Sequence, residues 1–203
     1  MKCVNMTGKL AEAEKKRKVA WGITGSGDRL PETISIMKEM KEEYQHNVDV
    51  RVFLSKAGEQ VVKWYKLHEQ LQQDFIRVSV ENNSNSPFLA GDLQLGKFEF
   101  LLIAPATSNT VAKISVGITD TLLCNSAVMA LKAFVPVYIM PSDYKEGTVV
   151  TRLPNGKDLR LRVRKEDAEN TRKLSLMENV SVLEKPEDIC KVFLKHFSMK
   201  EQK

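Results

Sequence analysis

Apolar residues in this chain fall into short continuous runs that alternate with longer stretches of helical period. The runs 18–24, 48–54, 75–80, 98–104, 135–140 and 180–183 have the length and the β-branched or aromatic content of strands. After the first run, Ile34, Met37, Met40 and Tyr44 recur at helical spacing behind an early Pro31. Proline is tolerated there because the N–H it lacks would have no partner in a first helical turn. Further helices are predicted from just after Ala57 to about Leu71, after Thr110, and over 166–177, where acidic residues lie at the start and Arg172 and Lys173 near the end. A closing helix over 186–197 buries Ile189, Val192, Phe193 and Phe197. Pro154-Asn155-Gly156 between the alternating segments 148–152 and 158–163 predicts a β-hairpin, since Asn-Gly supplies the positive φ of a tight turn. Residues 81–87, ENNSNSP, read as a turn-rich loop. Strands alternating with helices predict an α/β fold: a doubly wound, mainly parallel sheet in a three-layer Rossmann or flavodoxin-like sandwich, with the hairpin as a late excursion.

At 203 residues and 42% hydrophobic content the chain suits one well-buried domain over 18–203, preceded by a polar, basic extension over 1–17. The net charge of +5 comes from 31 basic against 26 acidic residues spread over many segments. With only 7% aromatics and no dense basic stripe, a nucleic-acid partner is not expected. No apolar run approaches the roughly 18 residues of a membrane span, and the lysine-rich start lacks the apolar core of a secretory signal, so a cytoplasmic protein is expected. Cys3, Cys124 and Cys190 are widely spaced, without a CxxC pair, and suggest neither a disulfide framework nor a metal or iron–sulfur site. Any redox chemistry therefore belongs to an organic cofactor. Alternation puts Arg160, Arg162 and Arg164 on one hairpin face, either to meet a partner's carboxylates or to keep an exposed ribbon from pairing with other edges.

Candidate chemistry gathers after the strands, where an open α/β sheet binds its ligands. Gly25-Ser26-Gly27 follows the first strand and precedes a helix, an arrangement suited to cradling a phosphate on backbone amides. It is neither a Walker loop nor a full GxGxxG, because Leu30 stands at the third glycine position. Ser55 follows the second strand and reads equally as a helix cap or a phosphate contact. Pro105-Ala106-Thr107-Ser108-Asn109-Thr110 follows the central strand; one of its polar residues is needed as a helix cap, and four exceed that need. Pro141-Ser142-Asp143-Tyr144 lies at the end of the next strand and again faces the ligand crevice. Phe88 reads as a core anchor or as a ring stacked beside a cofactor, and Cys124 as a packed thiol.

The segment from Pro105 to Thr110 resembles the PASANT motif of the flavin-containing cysteine decarboxylase family, and the likeness continues through Val111-Ala112-Lys113-Ile114 and the GIxDxLL pattern of Gly117 to Leu123. Gly22 to Ser26 is similar to the GxTGS segment with which that family opens. The resemblance implies FMN, with Gly25, Ser26, Gly27 and Ser55 around its phosphate and Pro105, Ala106, Thr107, Ser108, Asn109 and Thr110 along its ribityl chain and ring, Asn109 bonding the ring edge. It also implies a homo-oligomer, trimeric or larger. The decarboxylases of the family carry a histidine shortly before the central strand and a PxMNxxMW clamp after the next one. This chain has Gly91 and Asp92 in the first place, with its only histidines at 46, 68 and 196, and Met140-Pro141-Ser142-Asp143-Tyr144 in the second. Cysteine decarboxylation is therefore not expected, and flavin prenyltransferases match less well. The stretch Arg164-Lys165-Glu166-Asp167 with Asn170 to Leu174 resembles the archaeal flavoprotein and dihydromethanopterin reductase branch. That branch implies an FMN oxidoreductase that takes electrons from a donor such as ferredoxin and passes them to a pterin or another acceptor. The alternative is a flavin protein that only carries electrons. No catalytic side chain is assigned.

Overall fold

The computed structural model describes residues 16–198, so the predicted extension lies, apart from residues 16 and 17, outside the described residues. Six parallel strands form one sheet: β1 (Arg17–Ile23), β2 (Val48–Leu54), β3 (Val78–Val80), β4 (Phe100–Ala106), β5 (Val137–Pro141) and β8 (Val180–Val182). Their spatial order is β3-β2-β1-β4-β5-β8, the doubly wound order in which the chain reverses direction across the sheet between β1 and β4. Between strands run α1 (Leu30–Glu43), α2 (Lys56–Trp64), α3 (His68–Asp74), α4 (Leu89–Gln94), α5 (Ser108–Ser115), α6 (Leu122–Lys132) and α7 (Lys165–Ser175), and α8 (Asp188–Phe197) follows β8. Among the described residues the strands β6 (Gly147–Arg152) and β7 (Asp158–Val163) pair only with each other, as the antiparallel hairpin the sequence predicts.

Because successive strand residues point to opposite faces, continuous apolar runs build two cores. On one face Val19, Trp21, Ile23, Phe100 and Leu102 pack with Leu30, Ile34 and Met37 of α1 and Phe193 of α8. On the other, Ala20, Leu101, Ile103 and Ile139 meet Ile114 of α5 and Leu123 and Ala127 of α6. Full burial of side chains this size contributes roughly 1.5–3 kcal/mol each. Gly22 lets α6 approach β1, since a Cβ there would lie 2.7 Å from a methyl of Leu123.

Two local expectations change, and one helix is added. The helix expected to run to Leu71 breaks after Trp64: Lys66 takes φ 58°, the amides of Lys66 and Leu67 close back on Lys63 and Val62, and α3 starts at His68. Residues 89–94 form α4, with Leu89 and Leu93 buried one helical turn apart. Phe88 is no core anchor: it is 65% exposed, with its ring over Gly91, and lines a surface cavity with Arg51 and Ile76 rather than the crevice described below.

Candidate functional site

At the reversal point between β1 and β4, Thr24 joins the two loops. Its hydroxyl donates to the Pro105 carbonyl at 2.8 Å and accepts from the Thr107 amide at 2.8 Å. The Thr24 amide also donates to the Pro105 carbonyl, at 3.2 Å. The side chain is 2% exposed, so this stitch is shielded from water and fixes the glycine loop against the start of α5. Beyond it, the Ser26 amide donates to the Thr24 carbonyl at 2.9 Å and the Ser26 hydroxyl accepts from the Asp28 amide at 3.2 Å. The loop after β5 joins the same floor: the Ser142 amide donates to the Ala106 carbonyl at 2.9 Å, its hydroxyl donates to that of Ser26 at 2.6 Å, and the Ser108 hydroxyl donates to the Asp143 carboxylate. Gly27 is required by space, because a Cβ there would lie 2.3 Å from the Tyr65 hydroxyl.

The hairpin covers this floor. Val149 pairs with Leu161 and Thr151 with Leu159, so these four share the inner face, while Val150 with Arg160 and Thr148 with Arg162 point outward. Two polar contacts hold it down: the Tyr65 hydroxyl donates to the Arg152 carbonyl at 3.0 Å, and the Thr151 hydroxyl donates to Asp28 at 3.4 Å. Between roof and floor lies a cavity of about 260 Å³, walled on one side by Val61, Trp64 and Tyr65 at the end of α2. Among the described residues, the charged side chains that line it are Asp28 and Asp143. Burial pushes the Asp28 carboxyl above its ordinary value, with Asp143 and Glu32 adding to the rise and Arg29 and the Thr151 hydroxyl opposing it.

Of the residues singled out in the sequence, Gly25, Ser26, Gly27, Thr107 and Ser108 line this cavity together, as do Ser142 and Asp143. Pro105 and Ala106 are buried in β4; the Pro105 carbonyl accepts in the Thr24 stitch and the Ala106 carbonyl accepts from the Ser142 amide. Thr107 caps α5, accepting from the Thr110 amide at 3.3 Å, and Thr110 is buried beneath that cap. Asn109 is exposed in the first turn of α5 and does not line the cavity. Ser55 caps α2 by accepting from the Gly58 amide at 2.9 Å, beside the cavity rather than in its lining. Arg164 leaves the hairpin face expected for it and clasps Asp167 in α7 through two bonds of 2.8 and 2.7 Å. Trp64, Tyr65, Asp28 and the apolar hairpin face were not foreseen. The in-phase Val149, Thr151, Leu159 and Leu161 were the signal for the last of these; nothing local to Trp64 or Tyr65 distinguishes them from packed helix residues.

The Flavoprotein family model matches residues 7–193. The chain belongs to this family. It is 55% identical over 185 residues to an uncharacterized protein of Methanocaldococcus jannaschii, covering 91% of this chain and 98% of that one. It is 34% identical to dihydromethanopterin reductase (acceptor) of the same organism, covering 87% of this chain and 95% of the relative. Among solved structures it is similar to Burkholderia xenovorans DmrB in complex with FMN, described as a cubic protein cage for redox transfer. That similarity has a TM-score of 0.76 and 32% identity, over 91% of this chain and 97% of the other.

Proposed function

We propose that this flavoprotein binds FMN at the β1/β4 crevice and acts as an oxidoreductase that passes electrons from a protein donor to a pterin of the dihydromethanopterin class. The observation that carries the reading is the convergence of the glycine loop, the α5 N-terminus and the Ser142 loop on one floor beneath an apolar hairpin. The residues fit the cofactor. Among the described residues the amides of Gly25 and Gly27 donate to no protein acceptor, which leaves them for phosphate oxygens. The Ser26 and Ser108 hydroxyls suit the ribityl chain, and the start of α5, from Thr107 to Asn109, borders the ring; Asn109, solvent-exposed in one chain, then serves the ring's polar edge.

FMN when bound supplies the electron transfer; the chain binds, orients and shields it. The inner hairpin face excludes water from the crevice. Outside, Arg160 and Arg162 are exposed and make no ion pair among the described residues, so the hairpin presents positive charge to an acidic donor such as a ferredoxin. None of the three histidines lines the crevice, and α4 offers Gly91 and Asp92 where the decarboxylases place theirs, so cysteine decarboxylation is not part of this reading. No helix among the described residues is long and apolar enough to cross a membrane. Phe134 is 76% and Leu176 82% exposed, apolar surface that assembly into a homo-oligomer would cover. An anaerobic absorbance titration tests the function. A flavin spectrum that bleaches with reduced ferredoxin and recovers with a dihydropterin, faster than free FMN does, is expected. Purified protein that neither carries nor takes up FMN overturns it, and bleaching without recovery reduces it to an electron carrier.

A further inference from the structure

The crevice carries two chemistries, and the proposed cofactor site uses only one. Its floor is polar, whereas its mouth, between the end of α2 and the hairpin, is formed by Val61, Trp64, Leu159 and Leu161. The two tryptophans differ. Trp21 is fully buried and its indole N–H donates to the Ala104 carbonyl at 2.8 Å, as a packed tryptophan does. Trp64 is 57% exposed at the crevice, and its contact with Tyr65 is T-shaped, at 5.4 Å and 84°, so the two rings do not cover each other face to face. Facing the same space is Asp28, whose carboxylate oxygens have, among the described residues, the long 3.4 Å contact from Thr151 as their one hydrogen bond, apart from the neighbouring charges. No lysine or arginine lines the cavity. An exposed indole beside an unbalanced carboxylate suits a flat ring that offers amino or ring N–H donors, and repels one that carries an acid.

We propose that Trp64 and Asp28 form the subsite of the second substrate, in which a planar, amino-bearing heteroaromatic ring of the pterin class stacks on the indole beneath Leu159 and Leu161 and donates to the Asp28 carboxylate. This rests on the assignment of FMN to the floor and to α5, which leaves the α2 wall free. Stacking on tryptophan accepts any flat ring, so the carboxylate supplies the selection: it rewards a 2-amino-4-oxo pyrimidine edge, which has neighbouring donors. A donor from the ring also offsets what burial costs the ionised Asp28.

The test measures binding of 7,8-dihydropterin and of FMN separately, by calorimetry, to the FMN-loaded and the FMN-free protein. Trp64→Leu is expected to weaken dihydropterin binding by about tenfold or more while FMN binding stays within about twofold. Trp64→Phe, which keeps a ring, retains most of the affinity, and Asp28→Asn weakens dihydropterin but not FMN. Melting curves identify any variant that is simply unfolded; if Trp64→Leu is, Asp28→Asn carries the comparison, with weaker dihydropterin binding at unchanged FMN binding supporting the subsite and unchanged dihydropterin binding overturning it. Parallel loss of both ligands in Trp64→Leu assigns the wall to the cofactor and overturns the proposal, as does loss of neither. If the wild type binds no FMN, the function reading fails; Trp64-dependent dihydropterin binding to that same protein still supports the subsite, and its absence overturns the subsite too.

Discussion

The hydroxyl of Ser142 donates to that of Ser26 at 2.6 Å, joining two loops 116 residues apart in sequence. Each loop follows a different strand of the sheet, so the bond fixes the spacing between the glycine loop and the segment that carries Asp143. Ser142→Ala leaves the Ser26 hydroxyl accepting from the Asp28 amide but frees it on the other side. A loss of about 1 kcal/mol in urea unfolding is expected, as for one hydrogen bond between neutral groups, together with weaker FMN uptake. Unchanged FMN affinity in a correctly folded Ser142→Ala protein removes this bond from the binding site.

Glu81 follows β3 and holds two helices at once. One carboxylate oxygen accepts from the Leu122 amide at 2.8 Å, at the start of α6, and the other from the Lys56 amide at 3.2 Å, at the start of α2. Helix N-termini have unpaired N–H groups and a positive dipole end, so a single buried carboxylate satisfies both. Glu81→Gln keeps the shape but turns an NH₂ toward one amide donor. It should cost roughly 1–3 kcal/mol, read as a lower urea midpoint with an unchanged slope.

How much of this was legible in the sequence follows from which forces acted locally. The buried strands of the central sheet could be read because a strand covered on both faces is apolar at nearly every position, as Phe100 to Ile103 are. Thr107 and Ser55 could be read as caps because capping needs only neighbouring amides. The Thr24 stitch could not be read, since its partners Pro105 and Thr107 lie more than 80 residues away and are chosen by strand order. Arg164 was misplaced for a similar reason: alternation continued past Val163, where the chain instead turns into α7 and gives that arginine to Asp167. Trp64 looks like a core residue in sequence; only the break at Lys66 and the hairpin above reveal it at the crevice mouth.

Reversing charge on the outer hairpin face separates donor docking from flavin chemistry. Arg160→Glu with Arg162→Glu should slow reduction of the bound flavin by an acidic ferredoxin by about tenfold at low salt and leave reduction by dithionite unchanged. The wild-type rate should fall toward the variant's as ionic strength rises, because exposed charges are screened over about 10 Å at 0.1 M salt. Equal salt sensitivity in the two proteins rules out this face as the dock.

Cys124 is 1% exposed in α6, its thiol pointing to the Thr110 carbonyl at 3.9 Å, and burial pushes it above the ordinary thiol value. Thiolate is the reactive form, so it is doubly protected. Labelling with an aromatic disulfide reagent at pH 8 followed by peptide mapping should find Cys124 unmodified in the native protein and modified in urea. Native modification there would mean that α6 opens on the labelling timescale.

At the end of the sheet away from the crevice, the Tyr138 hydroxyl lies 2.8 Å from His196 Nε2, and Arg17 bridges the His196 carbonyl at 2.8 Å and the Glu99 carboxylate at 2.6 Å. Burial, followed by the nearby charge of Lys195, holds the imidazole below its ordinary value of about 6.5, while the bond from Arg17 holds Glu99 below the usual carboxylate range. Both shifts are downward, so each group contributes stability that is present above its unfolded pKa and lost as pH falls through its folded one. The histidine's share goes first, beginning just below neutrality, and the glutamate's share follows below the ordinary carboxylate value. Urea unfolding from pH 8 to pH 2 should therefore show stability falling in two stages. His196→Gln, which keeps a polar group beside Tyr138 but does not titrate, should flatten the upper stage and leave the lower one. An unchanged upper stage in His196→Gln would assign it to another group.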